Sequence, residues 1–259
     1  QCALLSPSDI KYMAPELNVE DLSCGVWSPN DGKFDPYMII QGYAKKARSL
    51  DVKILEGVRA IGFRSAKNKI TAVITNQGEI PCNLVINAAG PWAKEVAKWV
   101  GIDIPIINSA RSILVTEPFY KIPPSRTCVE DFSQGWYYRP ETGGAILMGM
   151  GNHHVDQIDV KLTDTAINEI IEAAIRRVPI LEQASLRTGW TGIRPLTPDD
   201  LPMVGSIQGF DGFYLNCGWG GEGIMQSPTA GEIFTDMLLN SRSEIVDINL
   251  LDPNRFAKR

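Results

Sequence analysis

Between Phe213 and Gly231 the chain reads FYLNCGWGGEGIMQSPTAG, and no other stretch limits the fold as tightly. Phe213–Cys217 has the pattern of a short buried strand, and it runs into Gly218, Gly220, Gly221 and Gly223. A helix is predicted next, with Ser227 as its cap, Pro228 at its first position and Ile233, Phe234, Met237 and Leu238 along one apolar face. A strand, a glycine-rich turn and a helix N-terminus together expose backbone N–H groups and the positive end of a helix dipole. That combination suits an anionic or strongly hydrogen-bonding ligand. Tight turns are also glycine-rich for steric reasons alone, so the ligand needs support from elsewhere in the chain.

The first third supplies some of it. Asp35 and Pro36 open a predicted helix with Ile39, Ile40, Tyr43, Ala44 and Ala47 on one face. A strand is predicted over Val52–Leu55, then a hairpin from Val58–Arg64 and Lys69–Thr75 around Lys67-Asn68. Leu84–Asn87 is a short apolar run ending in Ala88-Ala89-Gly90, and Pro91 starts another helix. Strand, hairpin, strand, small-residue turn and helix fit an α/β nucleotide-binding half.

From about Asp103 the character changes. Arg111–Thr116, Gly135–Arg139 and Ala145–Met150 read as strands with long connections. Asp164–Val178 is an amphipathic helix closed by Pro179, with a core stripe of Ile167, Ile170, Ile171, Ala174, Ile175 and Val178. An antiparallel sheet with one helix packed on it is α+β in character. After Gly189 the pattern returns to that of the first domain.

Composition excludes several functions. The net charge is −5 with no Lys/Arg block, which argues against nucleic-acid or anionic-membrane partners. No apolar run approaches the roughly 20 residues of a membrane-spanning helix. Five widely spaced cysteines without a C-x-x-C argue against a disulfide framework or a zinc site and favour a reducing, cytoplasmic compartment. The two histidines, His153 and His154, have no ligand-spaced acidic or cysteine cluster around them, so no metal is expected.

Two side chains are candidates for chemistry. Arg194 follows Gly192-Ile193 and precedes Pro195 at the end of a strand-like run, and its planar fork can hold a carboxylate bidentately. The plainer reading is a salt bridge to Asp199 or Asp200. Tyr137 lies in WYYRP, where alternation sets Tyr137 and Arg139 on one face and Trp136 and Tyr138 on the other. It is equally readable as an ordinary sheet aromatic.

The glycine-turn region, with GKFDPYMIIQGYAKKA (Gly32–Ala47) and LVINAAGPWAKEVAKWVGI (Leu84–Ile102), resembles the D-amino-acid oxidase superfamily of FAD-dependent oxidoreductases. The branch resembled contains glycine oxidase, the sarcosine oxidase β subunit and L-proline dehydrogenases, and the likeness covers nearly the whole chain. It implies an α/β plus α+β fold. A discontinuous, Rossmann-like FAD-binding domain (35–102 and 189–259) would accompany an antiparallel-sheet substrate domain (1–34 and 103–188).

Such enzymes begin with a strand, a G-x-G-x-x-G turn and a helix gripping the FAD pyrophosphate, and no G-x-G-x-x-G opens a βαβ unit here. The FAD domain is therefore expected to be incomplete at its N-terminus, completed by a missing segment or a partner subunit. The isolated chain is expected to hold FAD weakly or not at all. The resemblance assigns FAD contacts to Val58, Ala89, Gly90, Gly220, Gly221, Glu222, Gly223, Ile224 and Met225. It gives Arg194 the substrate carboxylate and turns Tyr137 toward the substrate.

Met225 stands where sarcosine oxidases usually carry lysine, and Gly192 roughly where monomeric sarcosine oxidases carry a flavin-linking cysteine. A non-covalent FAD is implied. The expected reaction is oxidation of the C–N bond of a small amino acid or secondary amine such as sarcosine, proline or glycine. The reading from another class is a flavin-less, non-catalytic subunit or interaction module that completes a heteromeric flavoenzyme.

Overall fold

The computed structural model describes residues 2–257. In chain order the elements are β1 (Ala3–Leu5), α1 (Pro7–Met13), β2 (Gly25–Trp27), α2 (Pro36–Arg48), β3 (Ala60–Ala66), β4 (Lys69–Thr75), β5 (Gly78–Pro81), β6 (Val85–Asn87) and α3 (Ala93–Lys98). There follow β7 (Ile107–Thr116), β8 (Val129–Asp131), β9 (Trp136–Pro140), β10 (Ile146–His154), α4 (Asp164–Arg177), β11 (Leu186–Leu196), β12 (Met203–Ser206), β13 (Phe213–Cys217) and α5 (Gly223–Asn240). They divide into two compact units, one of Gln1–Phe34, Ala110–His153 and Asp159–Gly192, the other of Asp35–Ser109, His154–Ile158 and Ile193–Arg259.

The first unit is built on a five-stranded sheet in the order β11-β7-β10-β9-β8, in which β9 runs antiparallel to both β8 and β10. Burial along WYYRP alternates as its period-2 pattern requires. Trp136 and Tyr138 are fully buried and their rings stack at 5.5 Å, while Tyr137 and Arg139 stay partly exposed on the other face. Against the aromatic face packs α4, contributing Ile170, Ala173 and Ala174 to a core that also holds Leu114, Ile146 and Met148. Thr163 caps α4 by accepting from the Ala166 N–H at 3.2 Å.

The second unit has two small sheets. In one, β13 lies between β12, antiparallel, and β6, parallel. In the other, β3-β4-β5 is an antiparallel meander whose first turn places Lys67 and Asn68 at φ 51° and 57°. Two consecutive left-handed residues match the right-handed twist of the flanking strands, so the short polar turn is the hairpin its sequence suggests. Phe63 joins the meander to this unit's core, edge-on to Phe213 at 5.7 Å and to Trp99 at 5.4 Å.

Two expectations are corrected. Val52–Leu55 forms no strand: Val52, Ile54 and Leu55 are exposed, and among the described residues no strand pairs with the segment. The helix before it does form, with the Asp35 carboxylate accepting from the N–H groups of Tyr37 and Met38, but α2 buries none of its residues. Ile40 and Tyr43 on its apolar face are exposed, as are Tyr37, Met38 and Leu50, a contiguous sequence stretch of uncovered apolar surface.

The second correction concerns α5, which starts at Gly223 rather than at Ser227-Pro228. Pro228 is inside the helix and has no N–H for the carbonyl of Ile224 four residues earlier. The Ser227 hydroxyl donates to that same carbonyl at 2.8 Å. The serine repairs the helix that the proline would interrupt.

Candidate functional site

Topology brings the glycine-rich segments of the second unit together. β6 and β13 are neighbours and run parallel, with Leu215 opposite Asn87, so the turns after them leave the same end of the sheet. In α/β sheets that carboxyl end is where ligands bind. From β6 come Ala89 and Gly90; from β13 come Gly218 to Glu222, followed at once by the first turn of α5, which contains Gly223, Ile224 and Met225. The early start of α5 places its uncommitted first-turn N–H groups directly after the glycines. Val58 stands apart in sequence and fold, just ahead of β3 in the meander.

Buried Asn87 shapes the first turn. Its side-chain oxygen accepts from the Ala89 N–H at 3.2 Å and its amide donates to the Ala93 carbonyl at 2.9 Å. Gly90 has φ 55°, and a Cβ placed there would meet nothing within 4 Å. Its backbone requires glycine for conformation, and the space before it is open to a group making a close approach.

The second turn is fixed differently. The N–H of Gly220 donates to the Pro195 carbonyl at 3.0 Å, which ties the turn to the end of β11. Gly218 and Gly220 take φ 79° and 57°. Trp219 donates from Nε1 to the Asn216 side-chain oxygen at 2.8 Å. The spacing Gly218, Gly220, Gly223 is itself G-x-G-x-x-G between a strand and a helix, but among the described residues no strand follows α5 to complete a βαβ unit. Cys217, at the end of β13, is buried, and burial pushes its thiol up to about 12, so it is no nucleophile at neutral pH.

Arg194, on β11, lies against this turn. A Cβ placed on Gly221 would be 2.6 Å from its Nη1 and 2.8 Å from Cζ, so the missing side chain is what lets the guanidinium lie on the backbone. Asp199, one of the plainer partners considered for it, is engaged by Arg255 through Nε at 2.8 Å and Nη2 at 3.1 Å. These bonds hold the Asp199 carboxyl down at about 2. Met225, in the α5 first turn, is exposed.

Tyr137 belongs to the first unit. Across the β9–β10 ladder it faces Gly149, where a Cβ would be 2.3 Å from the ring. Above the ring lies Arg111 of β7, its guanidinium carbon 5.0 Å from the centroid. Arg111 was not among the residues singled out from sequence; the available signal was a lone charged residue in the strand-like run RSILVT. The same unit contains a cavity of about 510 Å³ lined by Leu17, Cys24, Trp27, Asp131 and Arg177 among others. Neither Tyr137 nor Arg111 lines it. Its charged residues Asp21, Asp131 and Arg177 already pair with one another, so the glycine turns and the Arg111–Tyr137 pair are the stronger candidates for ligand chemistry.

His153 and His154 approach Glu169 and Asp156, each at 3.6 Å, and among the described residues no three potential ligands gather for a metal ion. Among those residues, no helix is long and apolar enough to cross a membrane.

A strand-end dinucleotide-type turn beside a carboxylate-binding type of side chain defines a class, and sequence comparison names it. The chain belongs to the FAD dependent oxidoreductase (DAO) family, whose model matches residues 1–237, and FAD is that family's cofactor. It is 28% identical over 278 residues to the mitochondrial dimethylglycine dehydrogenase of Rattus norvegicus, covering 98% of this chain and 32% of that protein. It is 31% identical over 229 residues to the hydrogen cyanide synthase subunit HcnC of Pseudomonas protegens, covering 88% of this chain and 54% of that one. Among solved structures, L-proline dehydrogenase from P. horikoshii superimposes with a TM-score of 0.90 at 27% identity, covering 98% of this chain and 68% of that chain. The chain therefore spans 32% to 54% of the length of these two curated relatives.

Proposed function

We propose that this chain is part of a longer FAD-dependent enzyme that oxidises the C–N bond of a small amino acid or secondary amine, such as sarcosine, proline or glycine. The observation that carries the reading is Arg194 laid on the side-chain-free backbone of Gly221, at the turn where β13 gives way to α5. When bound, FAD supplies a two-electron acceptor for the C–H bond next to the amine nitrogen. The residues fit that cofactor: Ala89 and Gly90 offer an open backbone, and Gly223 to Met225 offer first-turn N–H groups at a helix N-terminus. The FAD is held non-covalently.

The side chains position the substrate. Arg194 takes the carboxylate through two parallel N–H donors, which fixes the orientation of the amine-bearing carbon. Tyr137 is the second side chain that the family resemblance assigns to the substrate. Met225, lacking lysine's charge, favours a larger apolar amine: each Å² of ring surface it covers contributes about 25 cal/mol. Proline-like substrates are therefore expected to have the higher kcat/KM in a side-by-side assay with sarcosine and glycine using a dye acceptor. Sarcosine turning over best would refute this role of Met225.

The uncovered apolar residues of α2 and Val52–Leu55 support a further part of the reading: a pyrophosphate-binding βαβ unit of the longer protein covers them. The chain alone then binds FAD weakly. Stoichiometric FAD retained by residues 1–259 through gel filtration would sink this part. The same exposed face also fits a subunit that completes another polypeptide's site. Flavin absorbance of the purified longer protein separates the two, since only the enzyme reading requires a yellow protein.

A further inference from the structure

The face of the five-stranded sheet turned away from the aromatic core carries a cation that the proposed mechanism does not use. Trp136 and Tyr138 point to the core, so Tyr137 takes the opposite face of β9, where Gly149 of β10 leaves room for its ring. On β7, the strand beside β10, Arg111 extends its guanidinium over that ring at 5.0 Å. Arg111 is 7% exposed. Its Nε–H is buried without an acceptor.

Among the described residues, the arginine ion pairs of this unit use Arg126, Arg139 and Arg177, not Arg111. A guanidinium has five N–H donors in one plane. The π face of Tyr137 attracts its charge but accepts none of those hydrogen bonds in the plane. A buried charge is retained when an opposite charge meets it, and among the described residues no ion pair meets this one.

We propose that Arg111, laid on Tyr137, is a carboxylate-binding residue. The ligand is either a monocarboxylate or one end of a dicarboxylate. A planar, two-oxygen anion matches the in-plane fork, and the ring beneath keeps the fork from rotating. The inference rests on the amine-oxidoreductase reading for the choice of ligands and not for the geometry of the pair.

The test is calorimetric titration of the full-length flavoprotein with acetate and with malonate, comparing wild type, Arg111→Met, Arg111→Lys and Arg194→Ala. Calorimetry reads binding without turnover, so a failure of the amine-oxidoreductase reading, seen as no turnover of any amine, stays separate. If Arg111 binds a single carboxylate, acetate and malonate both weaken at least tenfold in Arg111→Met, and less in Arg111→Lys. If it requires a dicarboxylate, malonate weakens and acetate does not. Unchanged affinity for both ligands, with Arg194→Ala alone weakening them, would overturn the proposal. So would equal weakening of chloride, which marks a general anion effect. Should Arg111→Met fail to fold, Arg111→Lys decides: normal affinity for both acids means that the charge is structural and the proposal falls.

Discussion

Two buried arginines in the same unit present opposite solutions to one problem. Arg177, at the end of α4, is 1% exposed and surrounded by acceptors. Its Nε donates to Asp131 at 2.8 Å, its Nη1 to Asp21 at 2.7 Å and to the Asn18 carbonyl, and its Nη2 to Asp21 at 3.1 Å. Burial opposes its charge, and the hydrogen bonds with Asp21 and Asp131 outweigh that opposition. Arg111 has a tyrosine ring and an orphaned Nε–H. A cation whose acceptors are all in place holds loop to helix; one with an orphaned N–H is the one proposed to meet a ligand. The contrast also separates the cavity, where Arg177 is already neutralised, from the sheet face that carries Arg111 and Tyr137.

The sharpest way to break this contrast is to remove each charge. Arg177→Met leaves Asp131 buried without its cation and is expected to cost about 3–5 kcal/mol in chemical denaturation. Arg111→Met replaces an unpaired buried charge by an apolar chain, and is expected to stay within about 1 kcal/mol of wild type or above it. Equal losses would mean that Arg111 is as structural as Arg177.

The third arginine extends the comparison to function. Arg194→Ala in the full-length enzyme is expected to raise KM for an amino-acid substrate and to lower kcat/KM roughly 10- to 100-fold, the loss of a charge-assisted pair. Arg194→Lys keeps the charge without the fork and should fall between. Normal steady-state kinetics in Arg194→Ala would place it with Arg177.

Acid separates the two regions further. Burial works to raise the Asp131 carboxyl, but hydrogen bonds from Ser133, Gln134 and Arg177 hold it at about 2, against an ordinary 3.8. A depressed folded-state value contributes stability that is present above the unfolded value and is lost as pH falls from about 3.8 through about 2. Asp131→Asn should be less stable than wild type near neutrality, with the difference shrinking across that window in pH-dependent denaturation curves. A constant difference would show that the carboxylate is not the titrating group. Among the described residues Arg111 has no such carboxylate, so its variants should show no added acid dependence there.

The smallest expected effect applies the same rule to a neutral acceptor. Ser227→Ala removes the donor that serves the Ile224 carbonyl opposite Pro228, and should cost about 0.5–1.5 kcal/mol. No measurable loss in chemical denaturation would mean that water replaces the hydroxyl.

Local chemistry alone settled several features of this protein. The Asp35 cap with Pro36 starts α2, the Lys67-Asn68 turn closes a hairpin, and the period-2 alternation of WYYRP buries Trp136 and Tyr138. Each depends on residues within a few positions of one another, so spacing and side-chain type suffice. The family was legible for a related reason: its glycines, Gly90 and Gly220, answer to backbone conformations that few other residues adopt. Whatever depends on a partner distant in sequence was decided only in three dimensions. Ser227-Pro228 carries the local mark of a helix start, yet the turn after β13 had already begun α5 at Gly223. Val52–Leu55 has a strand's composition but no neighbouring ladder to join. Arg177 meets Asp21 across 156 positions, and Arg111 meets Tyr137 from two strands away. Periodicity tells which face a side chain takes; only packing tells whether a charge on that face finds its counter-charge or keeps the place for a ligand.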